Sequence, residues 1–266
     1  MKIALYLRHL EPSLRPQLLA LIDRLHRNGV DTDEITDALP TGVHYDFLFS
    51  IGGDGTLLSS VHLIGSRDIP VLGINFGHLG FLTTAGRDDI DTLVADILGH
   101  RYTLEPRTLL QIDADTIASP ITALNEVCLH RLDDAPLLRT DLYVDNDFVA
   151  TYAADGLIVA TPTGSTAYSL SCGGPILTPN SGCFVITPVA AHNLTLRPII
   201  VPDNARLRLV THPQQHLFNL SADSQQQHLA SGTEILLSRA SFTVRLVRLH
   251  RQTFFTAIHQ KLGWNF

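Results

Sequence analysis

Residues 50–60 read SIGGDGTLLSS, in which Gly52, Gly53 and Gly55 surround one carboxylate, Asp54, between two apolar runs. Glycine lets a backbone adopt positive φ and approach a ligand closely. Successive N–H groups in such a loop, helped by the N-terminus of a following helix, converge on phosphate oxygens. A carboxylate among anion-binding amides therefore needs a use of its own. It could hold a divalent cation that offsets phosphate charge. It could instead accept the proton of a hydroxyl that attacks a phosphoryl group. Phosphoryl transfer depends mostly on positioning, so a weak base suffices when it is well aimed. The bland alternative is a tight strand-to-helix turn capped by Asp54. The loop is not a Walker A motif, because no Lys-Ser/Thr pair follows, and it is not GxGxxG.

Elements around this loop must position it. KIALYL reads as a buried strand, and SLRPQLLALIDRLHRNG as a helix with Leu14, Leu18, Leu21 and Leu25 on one face and Gly29 at its end. YDFLFSI is a second strand, TLLSSVHLIG a helix, and IPVLGINFG a third strand. DDIDTLVADILGH follows as a helix, with Asp88 and Asp89 near its positive end and Gly99 after it. Such alternation predicts a Rossmann-like α/β N-terminal domain with a parallel sheet. After about residue 100 the segments become short, apolar or alternating, which predicts a mainly β C-terminal domain. VDNDFV reads there as a hairpin, with Asn146 and Asp147 suited to left-handed conformations. TPTGSTAYSLSCGGP lies between strands and could begin a helix with Ser165 as cap. The final stretch reads as a helix with Phe255, Ile258 and Leu262 on one face. The two halves are expected to share a long interface with a cleft.

Composition excludes several classes. A net charge of −7 argues against a general nucleic-acid or membrane-surface binder. No stretch approaches the roughly 18 apolar residues of a membrane span. The three cysteines, Cys128, Cys172 and Cys183, form no CxxC pair and fit a reducing compartment. The chain thus reads as soluble and cytoplasmic. Thirteen histidines raise a metal site, but there is no HExxH, and Pro213 separates His212 from His216. No protein-built metal site is expected.

GGDGT resembles the signature shared by NAD kinases, by diacylglycerol and sphingosine lipid kinases and, in a variant form, by phosphofructokinases. GINFGHLGFLT (73–83), NEV (125–127), DGLIVATPTGSTAYSLSCGGPI (155–176) and ITPVAAH (186–192) stand in the order and spacing of bacterial NAD kinases. The match covers nearly the whole chain. The resemblance implies that Asp54 is the proton acceptor for the adenosine ribose 2′-hydroxyl. It implies that Gly52 and Gly53 line the phosphate site and that Gly55 contacts the dinucleotide. Asn125 and Glu126 would contact the nucleotide, as an amide suits a base edge or hydroxyl and a carboxylate suits a pair of hydroxyls. Asp155 would contact the bound dinucleotide. Thr166, Ala167, Tyr168, Ser169, Leu170 and Ser171 would wall the adenine and the nicotinamide-side ribose. Ala190 and Gln225 match ligand-touching positions, and Phe76 would lie near the site or in the core.

The resemblance further implies domains of 1–99, completed by 252–266, and of 100–251, and a homodimer or homotetramer. The expected reaction is transfer of the ATP γ-phosphoryl group to NAD, with Mg²⁺ arriving with ATP. The rivals are a lipid kinase using the same loop and a sensor that binds NAD or NADP without turnover. Two positions depart from the family. Many relatives carry a basic residue where Ala153 stands, and an arginine where Pro136 stands, with Arg139 nearby here. Both changes remove positive charge that could meet a ligand phosphate.

Overall fold

The computed structural model describes residues 1–8, 11–77, 80–86, 89–117, 119–132, 135–213, 217–249 and 253–264. Asp88, His216 and residues 78 and 79 of the glycine-rich motif lie outside the described residues. The chain divides into two compact units, Met1–Pro106 with Val244–Phe266, and Arg107–Thr243.

The first unit begins β1 (Lys2–Tyr6), α1 (Arg15–Arg27), β2 (Asp31–Ile35), β3 (Phe47–Ile51), α2 (Asp54–Ile64), β4 (Val71–Ile74) and α3 (Ile90–Leu98). Its strands run parallel in the order β2-β1-β3-β4. β3 is buried along its whole length, as expected for a strand covered on both faces. Phe47, Phe49 and Ile51 join Leu18, Leu21 and Leu25 of α1 and Leu93, Val94 and Ile97 of α3 in one core. Leu48 and Ser50 point to the opposite face, and α2 packs on β3 and β4. β2 went unread in the sequence because DTDEI is polar. It is an edge strand with only Ile35 buried, and it forms because β1 offers a parallel partner. Among the described residues no helix is long and apolar enough to cross a membrane.

The second unit is β throughout, apart from short helical turns. It contains β5 (Tyr102–Asp113, which starts in the first unit), β6 (Ile121–Ala123), β7 (Glu126–Arg131), β8 (Leu138–Val144), β9 (Asp147–Ala154) and β10 (Gly156–Ala160). After β10 come a 3-10 turn (Gly164–Thr166), α4 (Tyr168–Ser171), β11 (Cys183–Val189), β12 (Ile199–Pro202), β13 (Leu207–Thr211), β14 (Leu217–Ala222) and β15 (Gln225–Ala230). β16 (Glu234–Leu249) leaves this unit and re-enters the first, where Leu246 pairs in parallel with Val71, and α5 (Phe254–Leu262) ends the chain.

Six strands form an antiparallel sheet in the order β12-β11-β10-β7-β14-β15. Leu129, Leu157, Val159, Phe184 and Leu220 of that sheet pack with Leu142, Leu207, Leu209, Ile235 and Leu237 of β8, β13 and β16. The architecture is thus an α/β unit with a parallel sheet plus a mainly β unit.

Three local expectations change. The β8–β9 turn is Asp145–Asn146, with φ of 50° and 74°, and Asp147 already opens β9. The pair that twists best between antiparallel strands has positive φ at both residues, and it sits one residue earlier than read. Ser165 caps no helix, since its hydroxyl donates to the Pro162 carbonyl and accepts from the Leu177 N–H. α5 buries Ile258 while Phe255 is 61% exposed. Its inward face runs through Phe254, Ala257 and Ile258.

Candidate active site

β3 ends at Ile51 and α2 starts at Asp54, so the glycine loop is a two-residue joint. Gly52 has φ of 148°, and a Cβ there would overlap the Thr56 side chain. Its N–H bonds the Ile74 carbonyl at 2.8 Å, tying the loop to β4. Thr56 and Leu57 both donate to the Gly53 carbonyl. The N–H groups of Asp54 and Gly55 precede these first intrahelical donors and face outward from a helix N-terminus. Gly55 is exposed.

Asp54 is not the cap of its own helix. The N-cap is Gly53, with no side-chain cap bond. The Asp54 carboxylate instead accepts the Phe81 N–H at 2.8 Å on Oδ2 and the Leu82 N–H at 3.2 Å on Oδ1. An ionised carboxylate offers about four acceptor sites, so each oxygen keeps capacity for a further proton donor. The segment supplying these amides is strapped to β4, with Thr84 N–H on the Gly73 carbonyl and Asn75 N–H on the Ala85 carbonyl, both at 2.9 Å. Gly73 permits this approach, because a Cβ there would meet Leu57, Thr83 and the Leu82 carbonyl. A Cβ on Gly80 would overlap the Asp54 carboxylate itself. Phe76 is 5% exposed and belongs to the core of the first unit.

In the second unit, Asn125 and Glu126 stand where β6 turns into β7. The Asp223 carboxylate gathers this turn, accepting N–H groups from Leu124 at 2.7 Å, Asn125 at 2.8 Å and Glu126 at 3.2 Å. Asp223 itself has φ of 50° in the β14–β15 turn. Thr161 returns from β10, its N–H on the Asn125 carbonyl at 2.9 Å and its hydroxyl on the Leu124 carbonyl at 2.5 Å. Gly164 rests against the Asn125 backbone, which a Cβ would strike. With the backbone so held, the side-chain atoms Asn125 Oδ1 and Glu126 Oε2 are buried without a hydrogen-bond partner among the described residues. Buried polar atoms are normally paired, so an amide and a carboxyl left open side by side mark a place for a polar ligand. Burial, followed by the nearby Asp223 charge, pushes the Glu126 carboxyl up to about 8.

Asp155 joins β9 to β10. Its carboxylate accepts the Arg131 Nε–H at 2.6 Å, and its N–H donates to the Val189 carbonyl, beside Ala190. Ala190 is exposed with φ of 47°. Asp155 and Ala190 thus sit at one end of β10, and Asn125 and Glu126 at the other, about 17 Å along the strand. Tyr168 is 39% exposed at the start of α4. Burial raises its hydroxyl above the ordinary range, with contributions from the neighbouring Cys128 and Cys172 thiols and Asp155. Ser171 is exposed, and Thr166, Ala167 and Leu170 are half-buried. Ser169 is fully buried, with its hydroxyl 2.8 Å from the Thr187 hydroxyl, so it braces the segment from within. Gln225 pairs with Ala222, which pairs with Val127, so by alternation its side chain leaves the sheet on the face opposite Glu126.

Sequence reading passed over Asp223, Arg131, Arg107 and Thr161. Arg107 is 2% exposed and donates to the Thr163 hydroxyl at 3.4 Å. Each acts through a backbone or loop partner distant in the chain, which leaves no local pattern. A cavity of about 800 Å³ lined by Asp145, Arg206, Arg208 and Glu234 contains none of the candidate residues. Among the described residues no cluster of three or more His, Cys, Asp or Glu could hold a metal ion.

An α/β unit carrying an aspartate on a glycine loop, followed by a β unit with an open amide–carboxyl pair, places the molecule in the GGDGT-loop class. Residues 17–102 match the profile of the ATP-NAD kinase N-terminal domain and residues 124–249 that of the ATP-NAD kinase C-terminal domain. The NAD kinase of Porphyromonas gingivalis is 41% identical over 230 residues, covering 86% of this chain and 79% of that protein. That of Christiangramia forsetii is 36% identical over 262 residues, covering 97% and 89%. A crystal structure of yeast NADH kinase complexed with NADH superposes with a TM-score of 0.86 at 27% identity, covering 100% of this chain and 88% of the other. An NAD kinase from Archaeoglobus fulgidus in complex with ATP shares the fold, with a TM-score of 0.82 at 24% identity and full coverage of both chains. The chain belongs to the NAD kinase family.

Proposed function

We propose that the protein transfers the γ-phosphoryl group of ATP to the adenosine 2′-hydroxyl of NAD, giving NADP and ADP. The observation that carries this reading is the Asp54 carboxylate, fixed by two backbone N–H groups at the N-terminus of α2 with acceptor capacity left over. Asp54 accepts the 2′-hydroxyl proton as that oxygen attacks phosphorus. The outward-facing N–H groups of Asp54 and Gly55 take up negative charge on the phosphate oxygens. Asn125 and Glu126 hold the acceptor through the atoms their fold leaves open. Asp155, Ala190 and the Thr166–Ser171 segment extend the acceptor site along β10. Arg131, bonded to Asp155, places a guanidinium next to that carboxylate in a chain that has Ala153 and Pro136 at the family's basic positions.

A divalent cation, Mg²⁺ by the chemistry of nucleoside triphosphates, enters with ATP. Bound with the triphosphate, it would take phosphate oxygens and water as ligands. When bound it offsets the charge of the phosphates. Three free thiols fit a cytoplasmic enzyme, and the family resemblance supports assembly of identical subunits.

Asp54→Asn keeps the shape of the side chain and one of its two amide contacts, because the new NH2 group donates rather than accepts, and it removes the basicity. It should lower kcat by about 10²–10⁴ with dinucleotide affinity retained. Product detection with ATP or polyphosphate as donor, and with NAD (giving NADP), NADH (giving NADPH) or diacylglycerol (giving phosphatidic acid) as acceptor, tests the reaction. Wild-type turnover in Asp54→Asn would refute the base role. Tight NAD binding by the wild type with no NADP formed under any donor or metal would show a sensor instead.

A further inference from the structure

Arg248 lies near the end of β16, only 6% exposed, with no part in the site described so far. Its Nε donates to Glu105 Oε2 at 3.1 Å, and its terminal nitrogen donates to the Phe81 carbonyl at 3.4 Å. That carbonyl belongs to the same peptide group as the Leu82 N–H, which donates to Asp54 Oδ1. The preceding peptide group supplies the Phe81 N–H on Oδ2. A guanidinium on one end of a peptide group and a carboxylate on the other form a polarised chain, in which each hydrogen bond strengthens the next. The planar peptide also transmits orientation, because fixing its oxygen fixes the direction of its N–H. The neighbouring Gly80 has no side chain, and its N–H is taken by the Thr83 hydroxyl at 2.6 Å. Thr83, Gly80 and Arg248 also line one small crevice together with Thr253, Thr256 and Ala257 at the start of α5.

We propose that Arg248, held by Glu105, is a positioning residue for the phosphoryl transfer: it aims the Asp54 carboxylate through the Phe81–Leu82 peptide. The inference rests on the base role of Asp54. A misplacement of about 1 Å at a reacting group can cost about 10²-fold in rate. Arg248→Gln in the full-length enzyme is therefore expected to lower kcat by about 10- to 100-fold, with KM for NAD and ATP changed less than about two-fold. Arg248→Lys, which keeps the charge but loses the fork, should recover only part of that loss.

The deciding measurement is a double-mutant cycle. In the Asp54→Asn background, Arg248→Gln should change the residual rate by less than about two-fold, because the group it aims no longer acts as a base. Equal loss in both backgrounds, or no loss in the wild type, overturns the proposal. Should Arg248→Gln not fold, Glu105→Gln leaves the guanidinium in place but loosens it. The same cycle is then expected to show about a 3- to 10-fold loss that vanishes with Asp54→Asn, and equal loss in both backgrounds again overturns it. If Asp54→Asn itself turns over normally, the base role fails, which is a result distinct from failure of the aiming role.

Discussion

Two carboxylates in different environments stand in the candidate site. Asp54 is half-buried and meets two backbone N–H donors. Glu126 has a buried oxygen with no donor and a neighbouring Asp223, which favours its protonated form. The Glu126 carboxyl is raised from an ordinary 4.5 to about 8, so between those values the folded protein holds a proton that the unfolded chain has released. Stability from this group is therefore present at low pH and falls as pH rises across that window. Glu126→Gln removes the titration. Urea unfolding at pH 5, 6.5 and 8 should show a smaller decline for the variant than for the wild type, and parallel declines would refute the assignment. GGDGT and NE were both visible in the chain as clustered residues. The donors that define each acid were not, since they come from 27 and 28 residues away for Asp54, and Asp223 lies 97 to 99 residues beyond the amides it collects.

At the scale of elements, periodicity served where one face is buried and failed where a partner supplies the structure. α1 shows its core face as Leu18, Leu21 and Leu25, all fully buried. β2 shows nothing, because it is made by pairing with β1. α5 is the instructive case. Its sequence permits two overlapping apolar faces, and packing selects the one through Ile258, leaving Phe255 in solvent. Ile258→Ala should cost about 2–5 kcal/mol in unfolding free energy, the usual range for emptying a buried aliphatic site. Phe255→Ala should stay within about 0.5 kcal/mol. Denaturant titration of both variants distinguishes the faces, and a reversed order would show that the helix turns the other way.

At the scale of the whole molecule, β5 and β16 each contribute to both units, so the chain leaves the α/β unit at Pro106 and returns at Val244. Asp54 lies in the first unit and Asn125 in the second, and a ligand-linked stability measurement tests whether their proposed roles separate. NAD at about 100 times its Kd should stabilise the protein by about 2.7 kcal/mol, seen as a raised melting temperature. That stabilisation should survive Asp54→Asn and be lost in Asn125→Ala, which removes the proposed acceptor-side contact. Loss in both variants would mean that Asp54 binds the acceptor as well as acting on it.

The amino-acid sequence alone determined a glycine loop carrying a carboxylate, the order of an α/β half before a β half, and the short motifs on which the resemblance to NAD kinases rests. These are local properties: glycine freedom, residue type, and the 3.6- and 2-residue periods of burial. Tertiary structure alone decided that Asp54 meets the Phe81 and Leu82 amides rather than capping its own helix, that Asp223 shapes the Asn125–Glu126 turn, and that Ser169 is buried against Thr187. Each of these depends on a hydrogen bond between groups far apart in the chain, and such a bond leaves no period, spacing or composition behind for a reader of the sequence to find.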